Sequence, residues 1–401
     1  MKQRLALAVA LGIAVAAVPA LPARADVIRD DEWHLRYLNV TEANQKTRGE
    51  GVTVAIVDRG VDRTHDDLRG AVLDPVFTTT GGDAASPAPS TPATTTGASD
   101  DPDGHGTALA GAVAGQGHGQ DHGDGVIGVA PGAKILPIVL DVPADRAPGP
   151  DDLATGIELA VAQKAAVIVV GYSVSGSERL RQAVRDAQRA DAIVVAADGD
   201  QPSRDFDPYP AAYDGVLAAI PLTRAGDVRV QSTSGRRLGL GVPGYQIMTT
   251  NNDNRYRVDD GSACAGLLGG AVALLRSAYP DAPSAEIIRR LTLTAVDVGP
   301  KGPDPENGLG RLDLVQALTK RLPTPSPSPS PGASPSAGAA APASAPAEAA
   351  PLRYRSRGPY GWLLGLPLLA VIAGLIWYAG LAERRVRISA REEVDSVGVQ
   401  S

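Results

Sequence analysis

Three side chains that lie far apart in the sequence could together carry out nucleophilic catalysis. Ser262 stands in the stretch D-G-S-A-C-A-G, directly before a long apolar run of Ala, Gly, Leu and Val. His105 is flanked by Gly104 and Gly106, which let the backbone bring an imidazole close to another group. Asp58 follows an apolar, β-branched run. An aspartate that orients an imidazole, which takes the proton of a serine, allows that serine to attack a carbonyl carbon.

Each of these residues also has a simpler interpretation. The apolar run predicts a buried helix that ends before Pro280, with Ser262 at its N-terminus. Free backbone N–H groups at that end favour a developing negative charge, but the position equally suits a serine that only caps the helix. Asp58 is a candidate catalytic group at the end of a strand, or a turn aspartate. Cys264 is an alternative nucleophile, although its place in the helix favours a small packing residue.

The elements that must position these residues are strands that alternate with helices. This alternation predicts an α/β domain with a parallel sheet. Apolar runs predict strands over 52–57, 134–140, 166–170, 192–197 and 216–220. Helical spacing predicts helices over 151–164, 178–190 and 284–293. Before the first strand, Trp33, Leu35 and Leu38 are the expected packing anchors of a polar segment.

Two segments between these elements are rich in glycine and polar residues. Residues 78–100 lack any periodicity and predict a flexible surface insertion. Residues 116–125 read QGHGQDHGDG and contain His118 and His122. A metal site is conceivable there, but no helix fixes an i, i+4 pair of ligands, so we predict a solvated loop and no metal or cofactor.

Both ends of the chain carry signals of export and membrane attachment. Residues 1–25 have a basic start, an apolar centre and an A-x-A cleavage site, which predicts a signal peptide, with an uncleaved anchor as the alternative. The domain then covers 26–322, and a linker of Pro, Ser and Ala covers 323–359. Residues 360–382 are uncharged, apolar and bordered by aromatic residues, which predicts a transmembrane helix rather than a buried core helix.

The signal peptide sets the expected orientation. We predict a single-pass protein of the cell membrane, with the domain outside the cytoplasm and the tail at 383–401 inside. The formal net charge of −7, without a stripe of Lys and Arg in the central region, argues against a nucleic-acid partner. The single cysteine excludes an intrachain disulfide.

Several motifs resemble those of the subtilisin-like serine proteases over about residues 26–318. The stretch VAIVDRGV around Asp58 resembles the aspartate motif of that family, and GHGT around His105 resembles the histidine motif. Further similar segments are His65-Asp66-Asp67-Leu68, Gly128-Val129-Ala130-Pro131 and Val242-Pro243-Gly244. The stretch around Ser262 resembles the serine motif G-T-S-x-A-x-P.

The resemblance implies a fold, an activity and a set of catalytic residues. The fold is a subtilisin-like parallel sheet flanked by helices, here with one C-terminal transmembrane helix. The implied catalytic residues are Asp58, His105 and Ser262, and the implied substrate is a polypeptide. The order of segments resembles the mycosins, proteases associated with type VII secretion in actinobacteria. That likeness implies a membrane-anchored serine endopeptidase that acts on exported proteins beside a membrane secretion complex.

The chain departs from the family pattern at positions that matter for catalysis. Arg59 replaces a threonine, Asp260-Gly261 replaces Gly-Thr, and Gly266 replaces a proline. Asp200 stands where the family has the asparagine that donates a hydrogen bond to the oxyanion, and Gly171 replaces another asparagine. An ionised carboxylate donates no hydrogen bond and repels an oxyanion. The alternative hypothesis is therefore a pseudoprotease that serves as a binding or scaffolding component of a secretion complex.

Overall fold

The computed structural model describes residues 27–78, 101–143, 146–198, 207–228, 238–304 and 307–323. The predicted signal peptide, the surface insertion apart from its first residue, Asp200, nearly all of the linker, the membrane span and the tail lie outside these residues. Within the described ranges, no helix combines the length and apolarity needed to cross a membrane.

The strands of the described chain form one large sheet and two small hairpins. They are β1 (Thr53–Asp58), β2 (Val76–Phe77), β3 (Gln116–His118), β4 (Asp124–Ile127), β5 (Lys134–Val139), β6 (Val167–Val170), β7 (Ile193–Ala197), β8 (Leu217–Leu222), β9 (Gly239–Pro243), β10 (Ile247–Asn251) and β11 (Arg255–Asp259). The large sheet has seven strands in the order β2-β5-β1-β6-β7-β8-β9, and its pairs are parallel. The predicted α/β fold with a parallel sheet is confirmed.

The helices lie between the strands and at both ends of the domain. They are α1 (Val27–Asp31), α2 (Trp33–Tyr37), α3 (Val40–Asn44), α4 (His105–Ala114), α5 (Pro150–Ala162), α6 (Glu178–Arg189), α7 (Ala263–Ala278), α8 (Ser284–Thr294) and α9 (Leu314–Thr319). Successive side chains of β1 face opposite sides of the sheet, as a strand requires. Val54 and Ile56 pack in the core shared with α4 and α7, whereas Ala55 and Val57 pack in the core shared with α5 and α6.

The interpretation of residues 116–125 as a solvated loop is wrong in part. β3 and β4 form an antiparallel hairpin with a short 3-10 helix, Gln120–His122, between them. A hydrogen bond attaches the hairpin to the interior of the domain, because His118 Nδ1 lies 2.6 Å from the Oδ1 atom of the fully buried Asp67. These long-range contacts are not encoded in the local composition, which by itself predicts a loop. Among the described residues, no cluster of three or more His, Cys, Asp or Glu side chains is arranged to hold a metal ion.

The polar segment before β1 folds over the domain. Trp33 and Leu38 are buried, as predicted, and Leu35 packs against the same core. The indole Nε1 of Trp33 donates to the carbonyl of Gln246 at 3.0 Å. The guanidinium of Arg29 donates to backbone carbonyls of the β3–β4 hairpin, those of His122, Asp124 and Gly125. The segment therefore joins two hairpins that are distant in the sequence.

Candidate active site

The carboxyl end of β1 delivers Asp58 into the interior of the domain. Asp58 pairs with Val139, the last residue of β5, and its side chain is 1% exposed. Its Oδ1 accepts hydrogen bonds from the backbone N–H of Arg59 at 2.8 Å and from the hydroxyl of Tyr172 at 3.3 Å. Its Oδ2 lies 2.7 Å from Nδ1 of His105. One carboxylate oxygen of Asp58 thus binds its own surroundings, and the other, Oδ2, binds the imidazole.

His105 opens α4, and the two glycines beside it allow the close approach to Asp58. A Cβ atom on Gly106 would lie 2.0 Å from the carbonyl oxygen of Gly60 and 2.9 Å from Cβ of Asp58. Gly104 has φ +74°, and a Cβ there would lie 1.7 Å from Oδ1 of Asn251. A larger residue at position 106 would push the helix away from β1, and one at position 104 would meet the side chain of Asn251 on β10. The expectation that glycines bring the imidazole close to another group is confirmed.

The buried carboxylate of Asp101 fixes the loop that leads into α4. It accepts hydrogen bonds from the backbone N–H of Gly104 at 3.0 Å and from the N–H and hydroxyl of Thr107 at 2.8 and 2.6 Å. Burial, followed by the charge of Asp58, raises the pKa of Asp101 to about 6. From the other side, Thr250 on β10 donates to the carbonyl of Thr107 at 2.6 Å. The first turn of α4 is therefore held by hydrogen bonds from two sides, to Asp101 and to β10.

The surroundings of His105 favour the charged imidazolium. Burial by itself would lower the pKa of His105, but the charge and hydrogen bond of Asp58, with the charges of Asp259 and Asp103, raise it to about 9. The ring of Tyr172 lies over the imidazole, with centroids 4.6 Å apart and planes 31° apart. Gly171 makes room for this arrangement, since a Cβ there would lie 2.6 Å from Cε1 of His105.

Ser262 immediately precedes α7 and is 6% exposed. Its hydroxyl donates to Oδ2 of Asp259 at 2.9 Å and makes no capping hydrogen bond to the helix. The side chain that accepts from the first turn is that of Asp259, whose Oδ1 accepts the N–H of Ala263 at 2.8 Å. Ser262 therefore occupies the N-cap position of α7, as the simpler interpretation expects, but its side chain does not cap the helix. In the described part of the chain, no hydrogen bond joins Ser262 to His105.

The helices that carry these groups pack directly on each other. A Cβ on Gly266 would lie 2.8 Å from Cβ of Ala112 and 2.8 Å from the carbonyl oxygen of Leu109, so the glycine in α7 lets α4 come close. Cys264 is fully buried in α7 with its Sγ 2.9 Å from the carbonyl oxygen of Gly261. Its burial agrees with the packing role expected for it. Asp200, the predicted oxyanion position, lies outside the described residues, and its role stays a prediction.

Comparison with known proteins identifies the family. The subtilase family model, Peptidase S8, matches residues 49–310.

The chain belongs to the subtilase family.

Among curated relatives of this subtilase, fervidolysin of Fervidobacterium pennivorans is 32% identical over 329 residues, covering 74% of this chain and 45% of fervidolysin. The chain thus spans about half the length of that relative. Mycosin-3 of Mycobacterium tuberculosis is 32% identical and covers 71% of each chain. The crystal structure of MycP1 without its N-terminal propeptide is 27% identical, with a TM-score of 0.56 over 73% of this chain and 98% of that one. These similarities support the mycosin-like type of subtilase.

Sequence reasoning missed several groups that surround the predicted residues of this subtilase. Asp259 was overlooked although it adjoins Asp260 in the serine motif, and Asp101 begins the stretch that contains His105. An acidic residue three positions before a motif serine was the signal available for Asp259. Tyr172 carries no such signal, because its hydroxyl reaches Asp58 only through the pairing of β1 with β6. In the structure Asp58 and His105 are in contact, whereas the hydroxyl of Ser262 donates its hydrogen bond to Asp259.

Proposed function

We propose that this subtilase is a membrane-anchored serine endopeptidase of the mycosin type, which hydrolyses peptide bonds of exported proteins outside the cytoplasm. The observation that carries the proposal is the hydrogen bond of 2.7 Å between Asp58 and His105 in a chain whose Ser262 opens a buried helix. A carboxylate on Nδ1 orients the imidazole and leaves Nε2 to exchange protons with a serine. The similarity to mycosin-3 supports the choice of polypeptide substrates.

The proposed reaction proceeds through an acyl-enzyme. Nε2 of neutral His105 takes the proton of Ser262, whose Oγ attacks the carbonyl carbon of the peptide bond. The imidazolium, stabilised by Asp58, then gives that proton to the departing amine, so the C–N bond breaks and the acyl group stays on Ser262. A water molecule, deprotonated by His105, hydrolyses the ester and restores the serine. Backbone N–H groups at the start of α7 lie where an oxyanion is favoured.

The proposed location rests on the sequence outside the described residues. The signal peptide at 1–25 and the membrane span at 360–382 support an extracytoplasmic domain with a cytoplasmic C-terminus. Fractionation of expressing cells, with N-terminal sequencing of the mature chain, tests this location. We expect a membrane-bound protein that begins at Asp26. A protein recovered from the soluble cytoplasmic fraction with an intact N-terminus would contradict it.

A second candidate function is a pseudoprotease that binds partners in a secretion complex. Two observations favour it: Asp200 replaces the asparagine expected at the oxyanion position, and the hydroxyl of Ser262 is engaged by Asp259. Loss of one hydrogen-bond donor to the oxyanion lowers kcat by about 100- to 1,000-fold, a loss measured in subtilisin itself. A carboxylate at that position would also repel the oxyanion.

Fluorophosphonate labelling of the full-length protein separates the two candidates. An active enzyme is labelled at Ser262, and the Ser262→Ala variant is not. Asp200→Asn is expected to speed labelling, because an amide can donate to the oxyanion where a carboxylate cannot. A folded protein that is never labelled at any pH would favour the pseudoprotease.

A further inference from the structure

The nucleophile and its neighbouring helix share one buried carboxylate. Asp259 ends β11 and is 4% exposed. Its two oxygens have separate tasks: Oδ1 accepts the N–H of Ala263 at 2.8 Å, and Oδ2 accepts the hydroxyl of Ser262 at 2.9 Å. The guanidinium of Arg257 approaches Oδ2 only to 4.0 Å. Of these two neighbours of Oδ2, only the serine hydroxyl lies within hydrogen-bond distance.

This hydrogen bond uses the proton that catalysis requires. A serine hydroxyl has a single O–H donor, so it cannot donate to Asp259 and to His105 at once. Hydrogen bonds to an ionised acceptor are also stronger than those to a neutral one. Transfer of the proton to His105 requires the hydroxyl to rotate away from the carboxylate first.

We propose that Asp259 is a positioning residue that holds the Ser262 hydroxyl in a resting hydrogen bond and thereby restrains the nucleophile of the free enzyme. The inference rests on the proposed protease function and deepens it. Substrate binding or loss of the charge at position 259 frees the hydroxyl for His105.

The charge of Asp259 also acts on His105. The charged and titratable groups around the imidazole are Asp58 at the end of β1, Asp103 in the loop before α4, Tyr172 after β6 and Asp259 at the end of β11. Arg59 lies nearby but is paired with Asp103 at 2.8 Å. Removing one of the three carboxylates makes the imidazolium easier to deprotonate. An amide at position 259 therefore favours catalysis twice, through the serine and through the base.

The Asp259→Asn variant tests this proposal with little disturbance to the fold. The amide oxygen can still accept the N–H of Ala263, while the NH2 group that takes the place of Oδ2 carries no charge and cannot accept the serine hydroxyl. Labelling rates of the full-length protein with a fluorophosphonate are measured across the pH range for the wild type and for Asp259→Asn. We expect the acid limb of the variant to lie lower by about one pH unit, and the rate near neutral pH to rise by more than the roughly tenfold increase that this displacement alone produces. A purely structural role for Asp259 would not move that limb downwards.

Two further variants serve as controls. Asp260→Asn removes the same charge from the adjacent residue, whose carboxylate accepts the N–H of Gln246 at 2.7 Å rather than the serine hydroxyl. We expect Asp260→Asn to change the labelling rate and the position of the acid limb less than Asp259→Asn does. Asp259→Ser provides a second uncharged side chain that can cap α7, should Asp259→Asn fail to fold, and it is expected to change the rate in the same direction.

The outcomes separate this inference from the proposed function. If the wild type is labelled and the rate of Asp259→Asn does not rise, or rises by no more than the displacement of its acid limb accounts for, Asp259 does not restrain the serine and the inference fails. If no folded variant is labelled at any pH, the proposed protease function fails, and the inference with it.

Discussion

Three carboxylates surround one imidazole at the centre of the site. Asp58 is in direct contact with His105, and Asp103 and Asp259 act through space. Against burial, which favours the neutral ring, their charges raise the pKa of His105 to about 9. The ring of the free protein is therefore protonated at neutral pH, and a protonated imidazole cannot accept the serine proton.

We predict that the reaction of Ser262 accelerates towards alkaline pH. The labelling rate with a fluorophosphonate, followed between about pH 6 and pH 10, should rise with an acid limb near pH 9 in the free protein. The physical reason is that only the neutral fraction of His105 activates the serine, and this fraction increases about tenfold per pH unit below the limb. A limb between about pH 6 and pH 7, the range of an unperturbed histidine, would show that the carboxylates do not act on the ring as inferred.

The residues of the site could be predicted from the sequence to different extents. Asp58 and His105 stand out because each lies in a short motif of unusual composition, and the structure places them in contact. Their partners Tyr172 and Asp259 could not be assigned, because a hydroxyl or carboxyl becomes a partner only through the path of the chain around it. The Ser262–Asp259 hydrogen bond depends on how β11 meets α7, which no local pattern encodes.

At the scale of elements, the sequence predicts buried strands well and surface hairpins poorly. Strands β1, β5, β6 and β7 are β-branched apolar runs, which a parallel sheet covered on both faces requires. The β10–β11 hairpin is rich in polar residues, which are mostly buried in β10 and mostly exposed or half-buried in β11, and it gives no such signal. Its position is set by distant contacts, such as the hydroxyl of Thr249, which donates to the carbonyl of Ala108 in α4 at 2.8 Å.

The junction of β1 and α4 depends on a glycine. We predict that Gly106→Ala lowers the labelling rate of Ser262 by at least about tenfold and destabilises the fold by about 1–3 kcal/mol, because the new methyl group meets the carbonyl of Gly60 at 2.0 Å. Relief of that overlap must move His105 relative to Asp58, and small displacements of a catalytic base reduce its rate strongly.

Gly149→Ala is the matched control for this substitution. Gly149 precedes α5, and the nearest atom to its added Cβ lies 3.5 Å away, an ordinary contact. We expect the control to keep the labelling rate and the urea midpoint close to those of the wild type. If Gly106→Ala behaved like Gly149→Ala, the glycine would not set the distance between His105 and Asp58.

At the scale of the whole molecule, the N-terminal segment that contains α1, α2 and α3 packs on the domain and carries a buried acid. Glu32 is 1% exposed, and its two oxygens accept the N–H of Ile127 at 3.0 and 3.2 Å. Arg29 lies 2.9 Å from the same carboxyl group. Burial raises the pKa of Glu32 to about 9, although the charge of Arg29 and the N–H of Ile127 lower it in part. The folded protein therefore holds a proton on Glu32 that the unfolded chain releases above about pH 4.5.

This proton makes the stability of the whole domain depend on pH. A group with a raised pKa in the folded state contributes stability that is complete below its unfolded pKa and is lost as the pH rises through the folded value. For Glu32 that window runs from about pH 4.5 to about pH 9. His105 acts in the same direction between the ordinary histidine pKa of 6.5 and about 9. The free energy of unfolding should therefore fall as the pH rises from about 6.5 to about 9, where both groups act in this direction.

We predict that Glu32→Gln makes this fall clearly shallower. Glutamine resembles the protonated acid, so the variant and the wild type should have similar free energies of unfolding near about pH 5, while the variant is more stable by several kcal/mol near about pH 9. Urea denaturation followed by circular dichroism at a series of pH values measures the difference. The slope that remains in the variant includes the part due to His105. Glu42→Gln, an exposed substitution on α3, is the control and should keep the slope of the wild type. Parallel stability curves for Glu32→Gln and the wild type would mean that Glu32 is ionised in the fold, held by Arg29 as an ion pair rather than as a neutral acid.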